Sequence, residues 1–117
     1  MGHVIVAAFL LLAAPRAFAD TLTGKVVKVA DSATVTILDN NTQHKIRLQG
    51  IDAPERKQLF GNASRKHLAT LVTGKEITVK WDNQDRYGRI VGFVIVDGQD
   101  VNLAQVKAGM AWFYRYY

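Results

Sequence analysis

The fold is decided by the stretch Lys45-Ile46-Arg47-Leu48-Gln49, in which polar and apolar side chains alternate. Alternation with a period of two is typical of a half-buried strand, because successive side chains point to opposite faces of a sheet. We therefore predict that Ile46 and Leu48 face the core and that Arg47 faces outward beside its polar neighbours. The irregular stretch 50–58 ends this strand.

Two further strands are predicted before this stretch. The segments Leu22 to Ala30 and Thr34 to Leu38 are rich in Val, Thr and Ile, and the cluster Asp39-Asn40-Asn41 is a turn signal. Together with 45–49 they predict a meander of three strands.

A helix, two strands and a second helix are predicted after it. The first helical segment ends at Gly74, and alternation resumes from Ile77 to Trp81. The run Ile90 to Val96 is almost wholly apolar, and a short helix is predicted from Val101 to Ala108. This order favours a mainly β fold with α (α+β): a five-stranded antiparallel β-barrel of the OB-fold type. One helix would lie between strands 3 and 4 and a second near the C-terminus. Periodicity alone fits other five-stranded barrels as well.

Length and composition limit the chemistry. The 117 residues leave room for one domain, and its 15 Lys and Arg against 10 Asp and Glu give a net charge of +5, which favours polyanionic partners. The absence of cysteine excludes disulfides, thiolate metal sites and thiol catalysis.

The N-terminus resembles an export signal. Residues 4–14 are almost wholly apolar, shorter than the ~20 residues that span a bilayer, and Ala17-Phe18-Ala19 places small residues where a signal peptidase reads. We expect residues 1–19 to be a signal peptide and the domain 20–117 to be secreted or periplasmic, without stable membrane association after cleavage. A short membrane anchor is the alternative.

Three motifs carry a family resemblance. Arg47 is followed after four residues by Asp52-Ala53-Pro54-Glu55, and later by Tyr87-Gly88-Arg89, while residues 31–35 read Asp-x-x-Thr-Val. Each motif alone is common, as strand-to-helix punctuation or as a plain turn. In this joint spacing, from about Leu22 to the end of the chain, the sequence resembles the thermonuclease (staphylococcal nuclease-like) family.

The resemblance implies a nuclease that hydrolyses phosphodiester bonds of DNA or RNA, preferably single-stranded, with the assistance of calcium. It implies that Arg47 and Arg89 stabilise the doubly negative phosphorane through their guanidinium forks. It also implies that Glu55 accepts a proton from the attacking water or positions that water. These three residues are the candidate catalytic residues.

The resemblance also implies ligands for the metal and the substrate. Asp52 is the implied calcium ligand, and the backbone carbonyl of Ala53 and water would complete the shell. The residues Arg86, Tyr87 and Tyr117 are candidates for substrate contacts. We expect the protein to be a monomer.

The chain departs from the family at one position. The family generally reads Asp-Gly-Asp-Thr where this chain reads Asp31-Ser32-Ala33-Thr34, so Ala33 replaces an expected metal ligand and calcium should bind weakly. Asp31 lies two residues from Ala33, on the same side of an extended segment, and we hypothesise that it substitutes in part. The alternative function is a catalytically impaired OB-fold domain that binds nucleic acid or protein. A third possible function, recognition of modified arginine, would need an aromatic cage, which the sequence does not indicate.

Two further expectations concern the surface. His44 and His67 have no clustered partners and are expected at the surface, whereas most of the aromatic run Trp112–Tyr117 is expected at the edge of the core. The family's chain continues into a further helix beyond this point, so we expect a C-terminally truncated and only marginally stable domain.

Overall fold

The structure is a computed structural model, which describes residue 18 and residues 20–113. The predicted signal peptide, apart from Phe18, and the candidate Tyr117 lie outside the described residues. Within those described ranges, no helix is long and apolar enough to cross a membrane.

Five long strands, three two-residue strands and two helices make up the described part of the chain. In chain order they are β1 (Asp20–Asp31), β2 (Thr34–Asp39), β3 (Thr42–Leu48), β4 (Ile51–Asp52), α1 (Gly61–Val72), β5 (Glu76–Gln84), β6 (Ile90–Val96), β7 (Gln99–Asp100), α2 (Val101–Lys107) and β8 (Trp112–Phe113). The five long strands and both helices correspond to the predicted elements. The two-residue strands were not predicted.

The long strands close into a barrel. Their order is β3-β2-β1-β5-β6, each antiparallel to the next, and β3 pairs with β6 in parallel at Ile46↔Ile90, Arg47↔Val91 and Leu48↔Gly92. Five strands that alternate in direction leave the first and the fifth pointing the same way, so the closing pair must be parallel. The predicted OB-fold-type barrel, with α1 between the third and fourth long strands, is confirmed. Its sheet is mixed rather than wholly antiparallel.

The long strand β1 takes part in both halves of the sheet. Its residues 20–25 pair with β5, and from Lys25 to Asp31 it pairs with β2 with two register shifts. Such irregularities bend a strand and increase its twist, which lets one strand turn the corner of a small barrel.

The core lies inside the barrel and beneath the two helices. Ile46 and Leu48 are buried, as the alternation in β3 predicts, and Leu68 and Val72 of α1 pack into the same cluster. The other large buried members of this cluster are Val26, Val35, Ile37, Ile51, Ile77, Val79, Ile90, Val94, Val96 and Val101.

The start of α1 is packed tightly against the segment that precedes it. Phe60, the N-cap residue, has a left-handed backbone with φ 65°, and a Cβ atom added to Gly61 would lie 1.9 Å from the carbonyl oxygen of Glu55. The Gly61 N–H also donates to the Gln58 carbonyl at 3.0 Å. Only glycine permits this approach, so Gly61 fixes where the segment 55–60 lies.

We expect Gly61→Ala to lower the free energy of unfolding by about 1–3 kcal/mol, because the added methyl group must push Glu55 away. Helix propensity alone predicts the opposite, a gain of up to about 1 kcal/mol. Urea unfolding of the parent and of Gly61→Ala separates the two effects. Asn62→Ala, at the exposed next position, is the control. A Gly61→Ala protein as stable as the parent would contradict the close approach.

Candidate active site

One small cavity collects most of the predicted site residues. Its volume is about 100 Å³, and it lies at one end of the barrel between the β1–β2 turn, the end of β3, the segment after β4 and the start of β6. Its lining residues are Asp31, Ser32, Ala33, Thr34, Arg47, Asp52, Ala53, Pro54, Glu55 and Arg89. The structure therefore brings together the three candidate catalytic residues and the three candidate metal ligands. Arg86 and Tyr87 do not line this cavity.

Arg47 is held by the turn that follows its own strand. Its Nη1 donates to the Leu48 carbonyl at 2.6 Å and its Nη2 to the Ile51 carbonyl at 2.9 Å, while Nη2 lies 3.8 Å from Asp52 Oδ1. The side chain is only 14% exposed. Arg47 therefore lies on the face of β3 opposite Ile46 and Leu48, as predicted, but it is not exposed to solvent as expected, because the chain after β3 folds back over it.

Arg89 is oriented by a tight loop between β5 and β6. One carboxylate oxygen of Asp85 accepts hydrogen bonds from the backbone N–H groups of Tyr87 at 2.9 Å and of Arg89 at 3.0 Å. The other carboxylate oxygen accepts a hydrogen bond from Arg89 Nε at 2.7 Å. The guanidinium is thus fixed at Nε by Asp85, and Arg89 lines the cavity. Sequence reasoning did not identify Asp85, although Asp at the start of a turn before a glycine is a recognisable signal.

The contacts of Asp85 also shift its pKa. Burial raises the pKa of this carboxyl, but the hydrogen bonds from the Arg89 side chain and from the backbone of Arg89 and Tyr87, together with the charge of Arg89, outweigh that effect. The net pKa lies below its ordinary value of 3.8. The charged form of Asp85 is therefore favoured by folding.

The sequence of this domain also matches a known protein family. A family profile described as "Staphylococcal nuclease homologue" matches residues 45–117, which include Arg47, Glu55 and Arg89. The chain belongs to the staphylococcal nuclease family.

Several relatives of this nuclease family are similar over most of the chain. An "Uncharacterized endonuclease" of Escherichia coli is 46% identical over 95 residues, which cover 80% of this chain and 62% of the relative. A "Micrococcal nuclease" of Shigella flexneri is 38% identical over an alignment of 124 positions, covering 98% of this chain and 71% of the relative. An "Uncharacterized endonuclease" of Haemophilus influenzae is 44% identical over 96 residues, covering 81% and 54%. The chain thus spans less than two thirds of the Escherichia coli relative.

The carboxylates around the cavity of this nuclease-family domain supply oxygen donors only. Asp31 Oδ1 accepts the Ala33 N–H and Asp52 Oδ1 accepts the Ala53 N–H, each at 2.9 Å, so each carboxylate is oriented by a backbone N–H that follows it closely in the sequence. Glu55 is exposed at the rim. Oxygen donors are those that calcium prefers, but the residues described contain no group of three His, Cys, Asp or Glu placed to hold a metal ion.

Ala33, where the resemblance implies a further carboxylate, is buried beside the cavity. Its side chain is 6% exposed and belongs to the core cluster, while its carbonyl accepts the Leu48 N–H at 2.9 Å. The methyl group lines the cavity without offering a donor to a cation.

A buried polar network joins the cavity to both helices, and sequence reasoning missed it. Gln105 in α2 is fully buried, donates to the carbonyls of Ser32 at 3.0 Å and Ser64 at 3.3 Å, and is hydrogen-bonded to His67 Nδ1. Ser32 Oγ in turn donates to the Pro54 carbonyl at 2.9 Å. His67 is therefore half-buried, and its predicted surface position is wrong. The signal for Gln105 was its place four residues after Val101, on the buried face of α2.

The aromatic residues after α2 lie at the surface. Trp112 and Phe113 are 51% and 55% exposed, and β8 pairs only with β4 within the described residues. The prediction that most of the aromatic run lies at the edge of the core therefore does not hold for Trp112 and Phe113. Residues 114–117 lie outside the described part of the chain.

We expect Asp85→Asn to destabilise the protein at neutral pH. The pKa of Asp85 is lower in the folded state than its unfolded value of 3.8, so the charged carboxylate stabilises the folded state at pH values above 3.8. That contribution is lost as the pH falls through the lowered pKa, so parent and variant should converge at the acidic end. Thermal melts at a series of pH values from neutral downward measure the difference. Asn keeps one oxygen for the backbone N–H groups of Tyr87 and Arg89 but places an NH2 group opposite Arg89 Nε, so the change removes the charge together with that hydrogen bond.

Asp97→Asn is the matched control for this experiment. The Asp97 side chain is 87% exposed and 3.8 Å from Lys75, a geometry that contributes little in water. A difference between Asp85→Asn and the parent that does not change with pH would contradict the role of the Asp85 charge.

Proposed function

We propose that this domain is a nuclease that hydrolyses phosphodiester bonds of DNA or RNA with the assistance of calcium. The observation that carries the proposal is the convergence of two guanidinium groups, Arg47 and Arg89, and the Glu55 carboxylate around one cavity. Membership of the staphylococcal nuclease family supports the same reaction class. Export as a secreted or periplasmic monomer is part of the proposal.

The two arginines would neutralise the phosphate. Arg47 is fixed by two carbonyl oxygens and Arg89 by Asp85, so neither guanidinium has to be ordered when the substrate binds. Preorganised donors stabilise developing charge better than mobile ones, because no reorganisation accompanies the reaction. Planar guanidinium groups can also grip two phosphate oxygens at once, which lysine cannot do.

Glu55 would handle the attacking water. In the proposed step the water oxygen forms a bond to phosphorus and Glu55 takes the proton of the water. The bond between phosphorus and the leaving oxygen breaks, and the leaving alkoxide takes a proton from solvent water. Its exposed position at the rim suits this role, because a bulk water can reach it.

Calcium would be held by oxygen donors at one side of the cavity. Asp52 and the Ala53 carbonyl are the proposed ligands, and Asp31 replaces in part the carboxylate that Ala33 lacks. A bound calcium ion supplies Lewis-acid stabilisation of the phosphoryl oxygens. The chain's own contribution is to orient Asp31 and Asp52 through the backbone N–H groups of Ala33 and Ala53.

A binding domain without catalysis is the second candidate, and the buried methyl group of Ala33 favours it. With one carboxylate fewer, the cavity holds a dication less tightly, while its arginines still attract a phosphate. Such a domain would bind nucleic acid or protein without cutting.

The test is cleavage of single-stranded DNA followed on a gel, with calcium or with a chelator. We expect the parent to cut only with calcium, and Glu55→Gln to be slower by about 10²–10⁴-fold, the range for a lost general base. Glu76→Gln, at an exposed position on β5, is the matched control and should cut like the parent. Ala33→Asp should lower the calcium concentration needed for half-maximal cutting.

Other outcomes decide between the two candidates. Cleavage by Ala33→Asp alone would identify the natural chain as a binding domain that has lost catalysis. Cleavage by the parent that persists in the chelator, or that is unchanged in Glu55→Gln, would reject the proposed mechanism.

A further inference from the structure

The segment 54–61, which we call the Glu55 loop, carries the proposed general base and leads into α1 outside the barrel strands. Within it, the Glu55 N–H donates to Gln58 Oε1 at 2.7 Å and the Gln58 N–H to the Glu55 carbonyl at 2.9 Å. The Gly61 N–H donates to the Gln58 carbonyl at 3.0 Å. These bonds give the loop its own shape, but they do not fix its place relative to the barrel.

One hydroxyl group contacts both ends of the Glu55 loop. Ser32 is only 2% exposed, and its Oγ donates to the Pro54 carbonyl at 2.9 Å and lies 3.3 Å from the Gly61 carbonyl. Because a hydroxyl has a single hydrogen, the shorter contact is the main bond and the longer one a weaker branch. Ser32 follows Asp31 in the β1–β2 turn, so its hydroxyl joins the loop that carries Glu55 to a turn at the cavity.

Gln105 holds the backbone of Ser32. It is fully buried, and its Nε2 donates to the Ser32 carbonyl at 3.0 Å and to the Ser64 carbonyl at 3.3 Å. Carbonyl oxygens only accept hydrogen bonds, so the amide nitrogen must face them and Oε1 must face His67. His67 Nδ1 therefore carries a proton and donates to Oε1. The amide of Gln105 cannot turn over without losing these buried hydrogen bonds.

These contacts form a continuous chain from α2 to the Glu55 loop. Gln105 fixes the Ser32 backbone, and the Ser32 hydroxyl fixes the carbonyl group immediately before Glu55. The Glu55 side chain is exposed, so its position depends on its backbone rather than on packing around it. A displacement of about 1 Å at a reacting group, caused by a change elsewhere, can lower a rate by about 10²-fold.

We propose that Ser32 and Gln105 are positioning residues, which hold Glu55 at the cavity through the backbone of its loop and not through contact with the substrate. The inference rests on the proposed function, since it takes Glu55 as the group that accepts the proton of the attacking water. The two arginines have separate supports, Arg47 in the turn after β3 and Arg89 in the β5–β6 loop. Loss of the chain from α2 therefore slows the reaction step and leaves substrate binding nearly unchanged.

The test is steady-state cleavage of single-stranded DNA with calcium, at a temperature well below the unfolding midpoint of every variant. The full chain is compared with Ser32→Ala, which removes the hydroxyl, and with Gln105→Leu, which removes the amide. We expect kcat to fall by roughly 10–10²-fold in each, with KM within about twofold of the parent. Because the two residues act in series, the double variant should be no slower than the slower single variant.

Ser64→Ala is the matched control. Ser64 is as buried as Ser32, and its Oγ also donates to a backbone carbonyl, that of Met110 at 2.6 Å, which lies outside the Glu55 loop. The substitution keeps the Ser64 carbonyl that Gln105 contacts. It removes a buried hydroxyl of the same kind and should lower stability in a similar way, but leave kcat and KM unchanged. An equal fall of kcat in Ser64→Ala and Ser32→Ala would mean general destabilisation and would overturn the proposal.

Amide hydrogen exchange, followed by NMR without calcium or substrate, separates this inference from the proposed function. The Gln58 and Gly61 N–H groups should exchange several-fold faster in Ser32→Ala and Gln105→Leu than in the parent and Ser64→Ala, because the Glu55 loop is released. Faster exchange in a chain that cuts nothing rejects the nuclease proposal and retains the role of both residues in holding the loop.

Two results overturn the positioning role. The first is unchanged exchange in the Glu55 loop of both variants, and cleavage by the parent then leaves the nuclease proposal standing. The second is faster exchange with an unchanged kcat, which would show that the position of the loop does not govern the reaction step.

Discussion

The candidate site depends on the parallel pairing of β3 with β6. Arg47 lies opposite Val91 in this pairing, two residues beyond Arg89, so two guanidinium groups from distant parts of the sequence meet at one end of the barrel. The end of β3 also fixes its surroundings, because the Leu48 N–H donates to the Ala33 carbonyl and the Gln49 N–H to the Gly92 carbonyl. The cavity therefore forms only when β3 pairs with β6 and closes the barrel. A chain with β3 and β6 apart would retain both arginines but not the cavity that they share.

Buried polar contacts fix the segments that the barrel does not include. The segment from Pro54 to Phe60 has no core of its own, and it is tied down by Ser32 Oγ, which donates to the Pro54 carbonyl, and by the glycine at the start of α1. Ser32 is held from behind by Gln105. Loss of the Gln105 amide would leave buried carbonyl oxygens unpaired, at a cost of about 1–3 kcal/mol, and would also release the turn that carries Asp31. Stability and site geometry are thus coupled through α2.

The sequence predicted the features that depend on local periodicity. Alternation in 45–49 identified β3 and its buried side chains, and the helices were found from apolar spacing and terminal glycines. The features that it did not predict depend on contacts between distant segments. Arg47 is covered because the chain folds back through β4, and a two-residue strand leaves no periodic signal. The hydrogen bonds of Gln105 were not predicted either, because its partners lie on a turn and a helix far away in the sequence.

The charges around the cavity explain why a cation and the substrate should depend on each other. Two guanidinium groups and three carboxylates line it, so its formal charge is −1, and a phosphodiester carries the same sign. A phosphodiester would be attracted to the cavity only where it lies nearer to the arginines than to the carboxylates. A bound dication would make the net charge of the cavity positive and would therefore attract the phosphodiester. A fourth carboxylate at position 33 would bind the dication more tightly but repel the phosphate more strongly when no cation is present. If the domain is the proposed nuclease, Ala33 would weaken cation binding and at the same time reduce the need for a cation in holding nucleic acid, so that binding and cutting would be separable.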